Sequence, residues 1–379
     1  METILAIFER VPDSRQEWKI KHKLSEILVI ALLAITSNAE SSSQMHDFAV
    51  SRAEWLRTFL ILENGIPGRL TFSRVLQALS PKVFAIFFSE LMATAAAKTD
   101  GRVVAVDGKA LAGTYHNDGR KGLVYMVSAW CCENKLTLGQ VKTQEKSNEI
   151  TAIPELLDLL DLKGAVVTMD AMGCQKEIVK KIVKEKKADY VVGLKGNQGT
   201  MHREFKEYAL AAINEPAENN RYEKMTVTEK GHGRIEEREY WLFRDVEWFE
   251  NIKEWTGLNG LLMTRSRRKN IKSGKESEPE TRFYITSMKG NVEQVAQASR
   301  SHWGIENNLH WVLDVGFGED ACMTRMNIEA ANLSQLRRIS VNILNLDTET
   351  KMSIKRKRFR CSLELDYLNK LVVGSGLFS

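Results

Sequence analysis

The chain has 379 residues, 43% of them hydrophobic and 27% charged, with a net charge of +5 and only six prolines. That length holds two or three domains with a substantial core, and the low proline content argues against long disordered linkers. Glu2, Glu9 and Arg10 break any signal-peptide pattern, the longest early apolar run (27–35) is far too short for a membrane span, and the five cysteines show no C-x-x-C or zinc spacing, so a soluble, reduced, cytoplasmic protein is expected.

Residues 1–98 read as an all-helical domain. Leu24, Ile27, Leu28, Ala31, Leu32 and Ile35 recur at three- and four-residue spacing and predict one amphipathic helix. Trp55, Phe59 and Leu62 predict another, ended by Asn64-Gly65 and the turn-forming Pro67-Gly68. Thr71 caps a third that runs towards Leu79, and Pro81 opens a fourth. A DNA-contacting or dimerising role and plain helical packing both remain open for this region.

The pattern changes over residues 99–350. Residues 103–106 form an apolar strand, followed by 123–132 (LVYMVSAWCC), a turn at Glu133-Asn134 and a strand at 135–142. A helix over 148–160, a strand at 165–169, a basic helix over 175–186, a strand at 189–194 and a helix over 201–212 follow. The order β-β-β-α-β-α-β is that of a ribonuclease-H-like core, an α/β fold with a mixed sheet and helices on both faces. Residues 215–288 interrupt it as a β-rich insertion: a hairpin turning at His232-Gly233, a Trp-rich segment, and a basic loop over 265–274 between two further strands. Helix periodicity resumes at Val292, and residues 351–379 form a basic tail.

Charge is unevenly spread. Residues 176–187 carry six basic side chains against two acidic, 265–272 five against none, and 351–360 six against none. A solvated helix face would explain any one cluster; three together favour a polyanionic partner, of which nucleic acid is the commonest.

Three carboxylates stand out. Asp107 ends the apolar part of VVAVDGKAL, and Asp170 ends GAVVTMD. Either alone reads as an aspartate opening a turn, but two buried strands delivering one aspartate each suggest a shared use. In a ribonuclease-H-like sheet the first and fourth strands are neighbours, which would set the two side by side. On a helical wheel Ile305, Leu309, Val312 and Leu313 make the core-facing stripe of residues 301–320. Glu306 lies at its edge, in a row with His302, His310 and Asp314 that spirals towards the polar face. It could be a solvated boundary residue, or it could reach a cleft. A zinc site from His302, Glu306 and His310 has no H-E-x-x-H spacing behind it. Clustered carboxylates raise one another's pKa unless a cation binds, so a metal pair for phosphoryl transfer is their natural use.

The segments VVAVDGKAL, TMDAMGCQ, GLKGNQ, GHGRIEER and HWGIENNLHWVLDVGFGED, with DSRQEWKIKHKLSEILVIALLAI and NGIPGRLTFSRV near the start, resemble the H-repeat-associated proteins and related insertion-sequence transposases with an Asp-Asp-Glu active site. The similarity runs nearly the whole chain. It implies a DNA transposase that hydrolyses phosphodiesters at the ends of its element and joins the freed 3′-hydroxyls to target DNA, with Asp107, Asp170 and Glu306 holding Mg²⁺, for which Mn²⁺ could substitute. It also implies double-stranded DNA as partner and a homodimer or higher assembly on that DNA. Lys195, Asn197, Gln198, Arg234, Arg265, Arg267, Arg268 and His302 are the expected DNA contacts. Many relatives carry Tyr, Arg and Lys seven before, four before and seven after the glutamate, where this chain has Ser299, His302 and Leu313. The usual NGIPSHDT turn is altered at Gly68, Arg69 and Leu70. A nuclease that cuts without joining, or an idle DNA-binding relic or regulator, are the alternatives.

Overall fold

The computed structural model describes residues 4–95, 102–114, 123–143, 149–215, 221–249, 251–322, 324 and 326–374. The start of the expected helix at Asn148 lies outside them. The fold is mixed α/β, and among the described residues it has nine strands: β1 (Val103–Leu111), β2 (Val124–Cys131), β3 (Leu136–Thr143), β4 (Val166–Met169), β5 (Asp189–Leu194), β6 (Tyr222–Gly231), β7 (Arg234–Phe243), β8 (Gly260–Asn270) and β9 (Glu280–Thr286). Two compact units share them. One comprises Met1–Lys98, Asp107–Leu160 and Gly304–Ser379, the other Thr99–Val106 and Asp161–Trp303. Among the described residues no single helix is long and apolar enough to cross a membrane.

In the first unit β1 neighbours β2, and β2 pairs antiparallel with β3. The helix Asn327–Leu346 packs on β3 and on the helices Leu24–Thr36 and Pro81–Ala95. Its amides read backbone rather than water. Asn332 donates to the carbonyls of Leu76 and Leu79, Gln335 to that of Pro81, and Asn342 both donates to and accepts from the backbone of Thr137. Such partners are what keep buried amides from destabilising a core.

Three local expectations fail here, each for a physical reason. The helix Leu24–Thr36 buries every one of its residues, as a helix apolar all round must, so it has no polar face. Its one acidic side chain, Glu26, accepts from the amides of Ile61 and Leu62 at 3.0 Å, and Leu62 takes φ +48°. Those amides are therefore claimed by a carboxylate, and the helix carrying Trp55 ends at Leu56 instead of continuing through Phe59 to Leu62. The next helix, Arg69–Ala78, starts two residues before Thr71 with Gly68 as an N-cap that has no side chain to offer.

The basic tail is helical, Ile354–Leu363 followed by Leu365–Gly374, and two of its cations face inward. Lys357, 4% exposed, donates to the carbonyl of Leu344 near the end of the long helix. Arg358, 1% exposed, donates to the carbonyls of Ile35, Ala39 and Gly316 and lies 4.0 Å over the Phe317 ring. It thus serves the C-terminal ends of two helices, where the backbone concentrates partial negative charge. Burial pushes its guanidinium down to about 10.

In the second unit the strand order is β1-β4-β5-β9-β8-β7-β6. β1, β4 and β5 run parallel, and β5 onward is antiparallel. His232 and Gly233, both at positive φ, form the two-residue turn between β6 and β7. Residues 265–270, expected as a loop, are instead the outer half of β8, because each finds a register partner on β7.

Replacing Arg358 with Met should leave the buried carbonyls of Ala39 and Gly316 short of a donor, while that of Ile35 keeps the Asn38 amide. At about 1–3 kcal/mol for each unsatisfied group, partly relieved by water, a loss of roughly 3 kcal/mol of unfolding free energy is expected by chemical denaturation.

Candidate active site

β1 does not stop at Asp107; it continues through Leu111. What stops is its parallel partner: the β1–β4 register ends at Val106 opposite Met169. Asp107 is therefore at the end of the pairing rather than of the strand. The residue after it packs against the Glu149 carboxylate, which a Cβ at Gly108 would meet at 2.5 Å and push aside.

In the first unit, Asp107 and Glu306 meet around a residue that sequence periodicity had turned outward. His310 Nδ1 is 3.6 Å from Asp107 Oδ2 and 3.5 Å from Glu306 Oε2. The His310 side chain is 7% exposed, that of Asp107 17% and that of Glu306 58%. The helical wheel gives the reverse order, with His310 further from the core than Glu306. The cause is local: residues Glu306–His310 form a π-helical turn. In an α-helix residues i and i+4 are about 40° apart around the axis; the wider turn closes that offset and swings position 310 inward. Such turns often occur at functional sites, and nothing in the run ENNLH announces one.

Lys109 was also unremarked in the sequence. Two residues beyond Asp107 on the same face of β1, it donates to Asp314 at 2.7 Å and Asp320 at 2.8 Å. Two strand residues advance about 6.7 Å, and the four helical residues from His310 to Asp314 advance about 6 Å. The pairs 107–310 and 109–314 are thus rungs of one ladder with matching spacing. Burial alone would favour the neutral amine, but the two carboxylates outweigh it and hold Lys109 above its ordinary value. Behind Asp320, the wholly buried Glu319 accepts from Arg338 at 3.0 Å. Leu313, where relatives of the resembled group carry lysine, is fully buried.

In the second unit, Asp170 is exposed and accepts from the Met172 amide at 2.8 Å, capping the turn Ala171–Gly173. Asn197 donates to the Ala171 carbonyl at 2.6 Å and Gln198 to that of Cys174 at 2.8 Å. These two amides, expected as DNA contacts, hold the loop that carries Asp170. A cleft of about 120 Å³ opens beside the aspartate, lined among others by Lys195, His202, Arg282, His302 and Trp303. Arg282 stacks over Trp303 at 4.8 Å, and His302 Nδ1 is 3.1 Å from Thr168 Oγ1.

The remaining expected contacts lie on the β7–β8 ribbon. Arg234 is exposed, 3.9 Å from Glu236. Arg265, Arg267 and Arg268 are in register with Glu239, Glu237 and Glu236, and Arg268 bonds Glu236 at 3.2 Å. Three of the five cations in residues 265–272 therefore stand opposite glutamates on the next strand.

Asp107, Glu306 and His310 each bring one ligand atom within 4.8 Å of the other two, so the donor set suits a divalent cation. Comparison with known proteins agrees with a metal-dependent class. Residues 98–343 match the family model "Transposase DDE domain", and residues 5–92 match "DDE_Tnp_1-associated". The chain belongs to the DDE transposase family; it is an insertion-sequence transposase. It is 40% identical over 371 residues to the "H repeat-associated putative transposase YhhI" of Escherichia coli (strain K12), covering 97% of each chain. It is equally similar, over the same coverage, to the "Putative protein YbfL" of that strain. To the "Putative transposase YncI" of Escherichia coli O157:H7 it is 39% identical, over 99% of this chain and 95% of that one.

Lys109→Met should cost about 1–3 kcal/mol, at the lower end for a broken ion pair because Asp314 and Asp320 still reach water. With the folded pKa raised above its ordinary 10.5, the contribution is full below that value and fades as pH climbs through the folded one. Denaturation midpoints of the two proteins should thus differ at neutral pH and converge in strong alkali.

Proposed function

We propose that Asp107, Asp170 and Glu306 form one active site that cuts DNA at the ends of an insertion element and joins the freed ends to target DNA, with Mg²⁺ as the bound metal. The observation that carries this reading is the pair of aspartates, each the next residue after the last register partners Val106 and Met169, together with Glu306 facing Asp107 across His310. Parallel β4 and β5 following the first three strands support a ribonuclease-H-like core for residues 99–350. In that reading residues 215–288 are an insertion, residues 1–98 a helical accessory domain, and residues 351–379 a tail.

Each residue has a task set by its surroundings. Asp107, held at fixed phase by the Lys109 ladder, and the solvent-facing Asp170 and Glu306 would supply oxygen donors. When bound, a Mg²⁺ pair activates the attacking oxygen and offsets charge on the phosphate. Water would be the first nucleophile, breaking the phosphodiester at the element end. The released 3′-hydroxyl would then attack a target phosphodiester in line, with no covalent bond to the protein. Asn197 and Gln198 keep the Asp170 loop in place. Exposed Lys195 and the Arg282–Trp303 stack beside Asp170 offer cations for the DNA backbone and an aromatic face.

Asp107→Asn, Asp170→Asn and Glu306→Gln should each lower strand cleavage on the order of 10³-fold, about 4 kcal/mol, while leaving DNA binding intact. Double variants should be little worse than single ones, because the carboxylates act as a unit. The assay is labelled element-end DNA with Mg²⁺, scoring nicking and joining separately. Nicking without joining would assign a nuclease, and inertness of the parent protein on its authentic ends a DNA-binding relic. Full activity in Asp107→Asn would end the model.

A second test concerns the ribbon. Changing Arg265, Arg267 and Arg268 together to Gln avoids setting new glutamates opposite existing ones. If all three reach phosphate, the slope of log affinity against log salt should fall by roughly 0.9 per lost contact. An unchanged slope by fluorescence anisotropy would remove the ribbon from the DNA surface.

A further inference from the structure

The geometry points to His310 as a nitrogen ligand of the bound metal, making the site a mixed nitrogen–oxygen one that favours Mn²⁺ over Mg²⁺. The inference rests on the reading of Asp107 and Glu306 as metal donors.

Three observations carry it. His310 Nδ1 faces both carboxylates at 3.5–3.6 Å, longer than a good hydrogen bond, so neither contact saturates it. The ring is more than nine-tenths buried, and its other nitrogen, Nε2, has no hydrogen-bond partner. Since a metal-bound imidazole usually donates that second nitrogen as well, the assignment rests on Nδ1 and on the burial of the ring beside two carboxylates. The π-helical turn Glu306–His310 is the third, because such turns often mark functional sites. Three donors from one strand and one helical turn then converge within 4.8 Å.

The chemistry gives the selectivity its direction. Mg²⁺ takes oxygen ligands and is reluctant to shed water. Imidazole is a better donor to later first-row divalent ions, and affinity for sites containing nitrogen rises from Mn²⁺ onward. A site of two carboxylates alone would discriminate weakly; adding His310 raises Mn²⁺ affinity and leaves that for Mg²⁺ nearly unchanged.

The test uses the full-length protein loaded with Mn²⁺ at substoichiometric ratio and read by electron spin echo modulation. Directly bound imidazole gives ¹⁴N modulation, which must change when the protein carries ¹⁵N-labelled histidine. His310→Gln should abolish the modulation and lower Mn²⁺ affinity roughly tenfold or more, with less than a threefold change for Mg²⁺ by competition. Asp107→Asn should weaken both metals. Bound Mn²⁺ that depends on Asp107 and Glu306 but shows no ¹⁴N modulation would overturn the assignment of His310 and leave the carboxylate site standing. Modulation that survives His310→Gln would overturn it too. Failure of the parent protein to bind Mn²⁺, or binding indifferent to Asp107→Asn, would overturn both readings. The parent spectra decide the matter even if His310→Gln fails to fold.

Discussion

A lysine held between two aspartates fixes the phase of a strand against a helix, and the candidate site depends on that phase. Lys109 is nearly buried, and its ammonium has two carboxylates within 2.8 Å. Because it shares a strand face with Asp107, anchoring one anchors the other. A slip of β1 by one residue would turn Asp107 to the opposite face and simultaneously pull Lys109 from both partners. Geometry at the candidate site is thus tied to an ion pair two residues along the strand. The buried Glu319–Arg338 pair immediately behind extends this support into the core.

Much of this was legible in the chain. Hydrophobic runs located the strands, the order of elements gave the mixed α/β class, and the two aspartates stood out because each closes an apolar run. The features that escaped depend on partners distant in sequence or on a local change of helical period. Glu26 takes amides from residues 61 and 62 and so ends a helix that local periodicity would prolong. The π turn at 306–310 alters a period that a helical wheel takes as constant. Gly108 lies against the carboxylate of Glu149, forty-one positions away, rather than in a turn.

Charge was the least legible quantity. Counting cations along 351–360 suggests a surface for a polyanion, yet Arg358 and Lys357 close the ends of helices. In 265–270 the arginines remain near the surface but face glutamates of the neighbouring strand. A run of basic residues measures potential only when its neighbours in space are known, since in a folded chain the nearest counter-charge is often the protein's own.

The β7–β8 ribbon also changes character along its length. Near Phe243 and Leu261 both strands are buried; near Arg234 and Asn270 both are open to solvent. Its root is therefore held by exclusion of water, whereas its tip is held by cross-strand ion pairs and backbone bonds alone. Those two kinds of cohesion answer to different variables. Ionic strength reaches the exposed pairs of the tip and leaves the root untouched, so salt acts on the ribbon from its free end.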